Sequence, residues 1–451
     1  MISERGISRA NRAGTKAALS FLSLVLFAEV LTSCNAQAQF LPIQEIILEN
    51  GLKVLLLEDR KSPAVTFQVW YRVGSRNERD GKSGLSHFLE HMVGPKDYSR
   101  VIAKNGGESN AFTTTDVTVY FATMSRASID TAIDMEAARM AKVMLDGAQF
   151  EPEKKVIVEE RRLRTEDSPV ADLGELTSAV AYMNHPYRRP VIGWMKDIEN
   201  LTPEDLEAHY RTYYLPNNAF VVVVGDFSIP GMLTKIRSSF GKIPRGPDPP
   251  RSISEDPPQR GEKRVILKRE AELPFLLIYY RAPNMKDPDS IALDLLTTIL
   301  AGGRSSQLYK ELVYDKRLAR SVDASYYGLS IDPTVLSITA QIMPDKSPAE
   351  VERVVDAVLD RIKAEPVSDQ ELEKAKNQIA ADFVFNQDGV YGQAITIGYF
   401  ESAAQWQLIN EYLDGVKKVS AADILRVSRQ YLQNDQRTIG TLIPTGGKKL
   451  N

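Results

Sequence analysis

Cysteine occurs once in 451 residues, at Cys34, so no disulfide can close within one chain and the fold has to hold in any redox compartment without one. Histidine is almost as scarce, with four in all. Neither sign of charge dominates: the formal net charge is −3, and no basic stripe of the sort that neutralises phosphates runs along the chain, which sets nucleic-acid binding aside. Long apolar runs are missing too. The stretch from Ala17 to Leu31 is interrupted by Glu29 and falls short of the ~20 residues a membrane-spanning helix needs. What remains, 43% hydrophobic and 25% charged residues, is an ordinary globular mixture, and the length suits two domains of roughly 200 residues behind a short leader.

The leader is the first thing present. Arg5, Arg9, Arg12 and Lys16 precede the apolar stretch, the order of a secretory signal, which predicts export and, in a bacterium, a periplasmic protein. Two processing sites compete at its end. Ala36-Gln37-Ala38 has the small-x-small form of a signal-peptidase site and would make residues 1–38 the leader. Leu31-Thr32-Ser33-Cys34 resembles a bacterial lipobox, in which Cys34 is lipidated and anchors the protein to a membrane.

The body opens with apolar runs at Ile43–Leu48 and Leu52–Leu57 around Asn50-Gly51, a dipeptide that favours a tight hairpin. Alternation predicts a strand over Ala64–Val73, and further strands are read at Ser109–Thr114, Val117–Met124 and Ala219–Val224. Helical spacing appears over Ser83–Met92, with Ser83 as the expected N-cap, and over Ser128–Met144 and Glu151–Thr165. Residues 43–240 are read as one domain. Six prolines between Gly241 and Gly261 mark a linker over 241–262, since such density stiffens a chain but cannot pack a core. Residues 263–446 then repeat the order of elements, with strands at Arg264–Lys268, Phe275–Tyr280, Val335–Ile342 and Thr438–Ile443 and helices at Ser290–Leu300, Pro348–Glu365 and Asp369–Phe385. The expected class is α+β, two similar domains, each a mostly antiparallel sheet packed against helices.

The copies differ in chemistry, because His87, His91, His185 and His209 all fall in the first half. Two of them sit in His87-Phe88-Leu89-Glu90-His91. On a helix, positions four apart share a face, so both imidazoles can meet one zinc ion, with Glu90 placed as general base toward a zinc-bound water. The pattern is the reverse of the commoner His-Glu-x-x-His. A third ligand is needed, and a carboxylate from Glu151–Thr165 is the natural supply. Glu153 and Glu160 share one face of that helix, Glu159 and Glu166 another, and the residues alone leave the choice open.

At this point the chain resembles the inverted-motif zinc peptidases of the pitrilysin and insulinase family, M16, and above all its half-length members related to mitochondrial processing peptidase. The likeness runs from Gly51-Leu52-Lys53-Val54 to the final strand. It is carried by the pentapeptide with Met92, by Asn105-Gly106-Gly107, Ser109-Asn110-Ala111-Phe112-Thr113, the segment Glu153–Glu160, and Gly302-Gly303-Arg304-Ser305-Ser306. The resemblance implies the LuxS/MPP-like metallohydrolase fold and a metalloendopeptidase working in an enclosed chamber. It also implies Glu160 as third zinc ligand, Glu153 as the carboxylate behind the metal, and peptide binding as an added strand beside Asn110, Ala111 and Phe112.

Two departures stand out. The loop after Met92 is shorter than the family's usual one. In the second half, Leu336 falls where full-site members carry a substrate-holding arginine, and no tyrosine follows between Gln341 and Glu350. The expectation is therefore a second, related subunit that supplies the missing pair, or else a homodimer. A non-catalytic, peptide-binding subunit of such an assembly is the competing reading.

Overall fold

The computed structural model describes residues 41–93, 97–142, 145–251 and 255–446. Cys34 and both processing sites lie outside the described residues. Among those described, no helix is long and apolar enough to cross a membrane.

The first sheet begins as the composition predicts. β1 (Gln44–Ile47) and β2 (Lys53–Glu58) pair antiparallel across the Asn50-Gly51 turn. Gly51 has φ 88, and the Asn50 side chain donates to Phe240 O and Ile243 O at 2.9 Å each, so the turn is tied to the layer beneath. β3 (Ala64–Tyr71), β4 (Glu108–Thr113), β5 (Thr118–Ser125) and β6 (Ala219–Gly225) complete a sheet of order β1-β2-β6-β3-β5-β4. Only β2 and β6 run parallel. The continuous apolar run of β6 is buried along its whole length, as expected of a strand covered on both faces.

The second sheet repeats this plan. β7 (Lys263–Arg269), β8 (Phe275–Ala282), β9 (Ala319–Tyr326), β10 (Thr334–Ile342) and β11 (Arg437–Pro444) take the order β7-β11-β8-β10-β9, with β7 and β11 the parallel pair. Strand for strand, β2-β6-β3-β5-β4 and β7-β11-β8-β10-β9 are the same arrangement, and the fold is α+β with two similar units. Each sheet packs one face on helices of its own half, giving two separate cores.

The opposite faces are covered by exchange. The helix Pro169–Ala181, from the first half, lies on β7, β11 and β8, where Leu173 packs with Leu277 and Leu442. The helix Gly389–Ala403, from the second half, lies on β3 and β6. There Gly398 meets the Trp70 ring so closely that a Cβ would fall 2.0 Å from it. Arg72 and Lys53 both pair with Glu401 at 2.7 and 2.9 Å, fastening the same contact. Neither crossing helix was expected from the sequence.

Candidate metal centre

The pentapeptide lies on a helix, Leu85–Met92, because Leu85, Phe88, Leu89 and Met92 share a buried stripe. Ser83 is not its cap. The cap residue is Gly84, at φ 91, and the first N–H groups are met by a carboxylate from earlier in the chain: Glu78 accepts from Gly84 N and Ser86 N, each at 2.7 Å. Ser83 instead bonds Asp197 at 2.5 Å. Burial pushes the Glu78 carboxyl up to about 8, against the pull of those two N–H donors.

A second helix, Gly147–Arg161, packs across the first through Phe150, whose ring stacks on Phe88 at 5.0 Å, and through the fully buried Ile157. Phe150, Glu153, Ile157 and Glu160 follow helical spacing, so the two anchors turn both glutamates toward the histidines. Glu160 Oε1 stands 3.8 Å from His87 Nε2, and Glu160 Oε2 stands 3.4 Å from His91 Nε2. Each of the three offers one ligand atom, all within 4.8 Å of one another. Two ligands held about 2.1 Å from one tetrahedral ion stand roughly 3.4 Å apart, so these separations, too long for hydrogen bonds, fit a shared zinc. Glu159 and Glu166 point elsewhere. Glu159 pairs with Arg162 and Glu166 reaches Arg161 at 4.0 Å.

Burial, helped by the charges of His91 and Arg164, drives His87 down to about 3, which keeps its imidazole in the neutral form that ligates metals. His91 Nδ1 bonds Glu153 Oε1 at 2.8 Å, an arrangement that orients the ring and frees Nε2. His87 has no such support: its Nδ1 is buried without a hydrogen-bond partner among the described residues. The exposed Arg164, in a single π-type turn at Arg162–Glu166, reaches Glu160 Oε1 at 2.7 Å.

Glu90 faces a cleft of about 380 Å³ together with His91, Glu153, Asn110 and Ala111. Its Oε2 accepts the Thr113 hydroxyl at 2.6 Å, and burial raises its carboxyl above the ordinary range. Asn110, Ala111 and Phe112 belong to β4, the edge of the first sheet, which pairs with β5 alone among the described strands. Its outer side therefore offers backbone groups to an added strand. The Asn110 side chain meets the Ala111 N–H at 2.9 Å. Phe112 takes no part in the cleft. Alternation puts it on the face opposite Ala111 and Thr113, against Trp70 at 5.9 Å and Tyr399 at 6.2 Å.

Sequence reasoning missed the support behind this site. Arg139, on the helix Ile129–Ala141, is buried, pairs with the wholly buried Glu136 at 3.0 Å, donates to Val93 O at 2.7 Å and lies 3.8 Å over the Tyr120 ring. It thereby holds the chain just past the pentapeptide, whose following residues 94–96 lie outside the described set. A legible signal existed: Glu136 and Arg139 interrupt a stripe otherwise made of Ala132, Ile133, Ala137 and Met140. In the second half, Leu336 is fully buried in the second core, where it cannot reach a peptide.

The chain is similar to known proteins along most of its length. A family model described as Insulinase (Peptidase family M16) matches residues 53–194, and one described as Peptidase M16 inactive domain matches residues 200–379. Zinc protease PqqE of Helicobacter pylori is 31% identical over 434 residues, covering 94% of this chain and 98% of that protein. The crystal structure of a protease from Helicobacter pylori superposes with a TM-score of 0.87 at 31% identity, over 90% of this chain and 100% of that one. A more distant relative, the probable mitochondrial-processing peptidase subunit beta of Arabidopsis thaliana, is 24% identical over 426 residues, 88% of this chain and 77% of its own. With a zinc protease aligned along nearly its whole length and an inverted His-x-x-Glu-His helix facing a glutamate, the chain belongs to the M16 family of peptidases.

Proposed function

We propose that this protein is a zinc-dependent metalloendopeptidase that binds extended peptides along the outer edge of β4 and cleaves them beside Glu90. The observation that carries this reading is the shared cleft: Glu90, His91 and Glu153 line the same cavity as Asn110 and Ala111 of the open strand. His87, His91 and Glu160 would hold the ion, which when bound supplies a Lewis acid for the scissile carbonyl and for a water. Glu90, raised by burial and steadied by Thr113, takes the proton of the attacking water and passes it to the leaving amine. β4 orients the peptide through backbone groups that any extended chain presents, so sequence preference is broad at the strand itself.

The chain acts after export, in the periplasm or tethered there through Cys34. A related subunit, or a second copy of this chain, supplies the substrate-holding residues; the burial of Leu336 supports this. The same observation favours the second reading, a peptide-binding subunit without activity of its own. One experiment separates the two: zinc content and cleavage of a quenched peptide library, measured for the pure chain and for Glu90→Gln. Zinc kept and cleavage lost in the variant supports the peptidase. Zinc held yet nothing cleaved, both by the pure chain and by the chain with any copurifying protein, supports the inactive subunit.

A further inference from the structure

The duplicated plan carries a second cavity. The helix Ser290–Ala301 stands after β8 as the pentapeptide helix stands after β3, β9 is the edge strand corresponding to β4, and the helix Asp369–Asn386 corresponds to Gly147–Arg161. Between these elements, closed by the crossing helix Gly389–Ala403, lies a cavity of about 910 Å³. No histidine lines it. Its lining includes Tyr326, Phe383, Ile395, Tyr399 and Tyr412, and of its three carboxyls Glu411 and Asp414 are exposed while Asp294 is the least exposed.

That carboxyl is incompletely partnered. Asp294 Oδ2 accepts the Tyr412 hydroxyl at 2.8 Å, while Oδ1 has no hydrogen-bond partner among the described residues. Asp294 lies deep in the protein with part of its surface open to the cavity, and burial holds its carboxyl up at about 7, so it is an ionised acceptor only above that pH. An acceptor that opens into an aromatic-walled cavity can be met by a donor that arrives on an apolar body. The chamber is also one ring away from the substrate strand: Tyr399 stacks on Phe112 of β4 at 6.2 Å, and Tyr391, another lining residue, packs on Phe121 at 5.0 Å. Phe121 is the cross-strand neighbour of Asn110.

We infer that this cavity is a second contact for the peptide held on β4, taking a tyrosine or tryptophan side chain of that peptide and accepting its O–H or N–H at Asp294 Oδ1. The inference rests on the reading of β4 as the peptide strand. It converts a chemically silent copy of the metal site into a selectivity device, in which the strand accepts any extended chain and the chamber favours those with an aromatic donor at a set distance.

The test uses peptides of one cleavable core carrying Tyr, Phe or Ala in turn at each position away from the core. Their binding to Glu90→Gln protein at pH 8 is followed by fluorescence anisotropy. At one position Phe should bind about tenfold more tightly than Ala from ring burial, and Tyr about tenfold more tightly than Phe from the bond to Asp294. Filling the chamber with Ile395→Trp, or with Thr396→Trp should the first variant fail to fold, should bring all three peptides to the affinity of the Ala peptide. Asp294→Asn should narrow the margin of Tyr over Phe and keep that of Phe over Ala. Equal binding of the three peptides at every position overturns the inference, as does a chamber-filling loss that falls equally on the Ala peptide, or no binding at all. Cleavage of the Ala peptide by the wild type, with and without copurifying protein and scored separately, distinguishes these failures: cleavage without an aromatic advantage sinks only the chamber, whereas no cleavage of any peptide in either preparation sinks the peptidase.

Discussion

Each of the four histidines has a distinct residue-scale environment. His87 and His91 face Glu160, His185 Nε2 bonds Asp332 at 2.9 Å, and His209 Nε2 meets the Ser86 hydroxyl at 3.0 Å behind the pentapeptide. Burial lowers His209 to about 4, so it is neutral in the folded protein while the unfolded chain takes up a proton below about 6.5. More protons bound in the unfolded state means that stability falls with pH between 6.5 and 4. Urea titrations at pH 7 and pH 5 should show the wild type losing on the order of 2 kcal/mol more than His209→Gln, which keeps a partner for Ser86 but does not titrate. At the metal, Glu160→Gln should abolish tight zinc binding, Glu153→Gln should weaken it about 10–100-fold by freeing the His91 ring, and Glu159→Gln should leave it unchanged. Competition with a chromophoric chelator reads all three. The pentapeptide and the paired glutamates were legible because helical spacing is local. The choice among four glutamates was not, since it depends on where Phe150 and Ile157 anchor their helix.

Elements explain what local pattern could not. The expected cap Ser83 lost to Glu78 because the chain loops back and brings a carboxylate to the helix start, a contact with no local signature. The helix Ile129–Ala141 carries its charged pair Glu136 and Arg139 into the core to hold Val93, so Arg139→Met should leave a buried carboxylate unpaired. A cost of about 3–5 kcal/mol is expected from thermal or urea unfolding, largely recovered in the double variant Glu136→Leu/Arg139→Met. The crossing helix Gly389–Ala403 did leave a trace: Val390, Ala394, Ile397 and Phe400 are buried while Ile395 and Tyr399 line the cavity, so apolar residues surround it on every side. A helix apolar all round belongs between two layers. Gly398→Leu, pressed against Trp70, should destabilise by about 1–3 kcal/mol or more by the same assays.

At the scale of the whole molecule, the halves are joined by more than the proline-rich segment. Besides the exchanged helices, Arg76 pairs with Asp332 at 2.5 Å, Ile331 N donates to Asp116 Oδ2 at 3.1 Å, and Asp332 N donates to the Tyr187 hydroxyl oxygen at 3.3 Å. The duplicated architecture was legible from the repeated order of strands and helices; the exchange was not, because pattern reports how an element packs and not on which sheet. Residues 42–251 expressed alone should therefore be insoluble, with Trp70 and Phe220 uncovered, and should become soluble and copurify when coexpressed with residues 255–446. Soluble first halves with native-like near-ultraviolet dichroism would refute this. The exchange also sets a timetable. A ribosome releases the first sheet long before it reaches residue 403, and until that helix emerges one face of the sheet has nothing to close on. The nascent chain therefore leaves that face of the first sheet uncovered until residues 389–403 have been made.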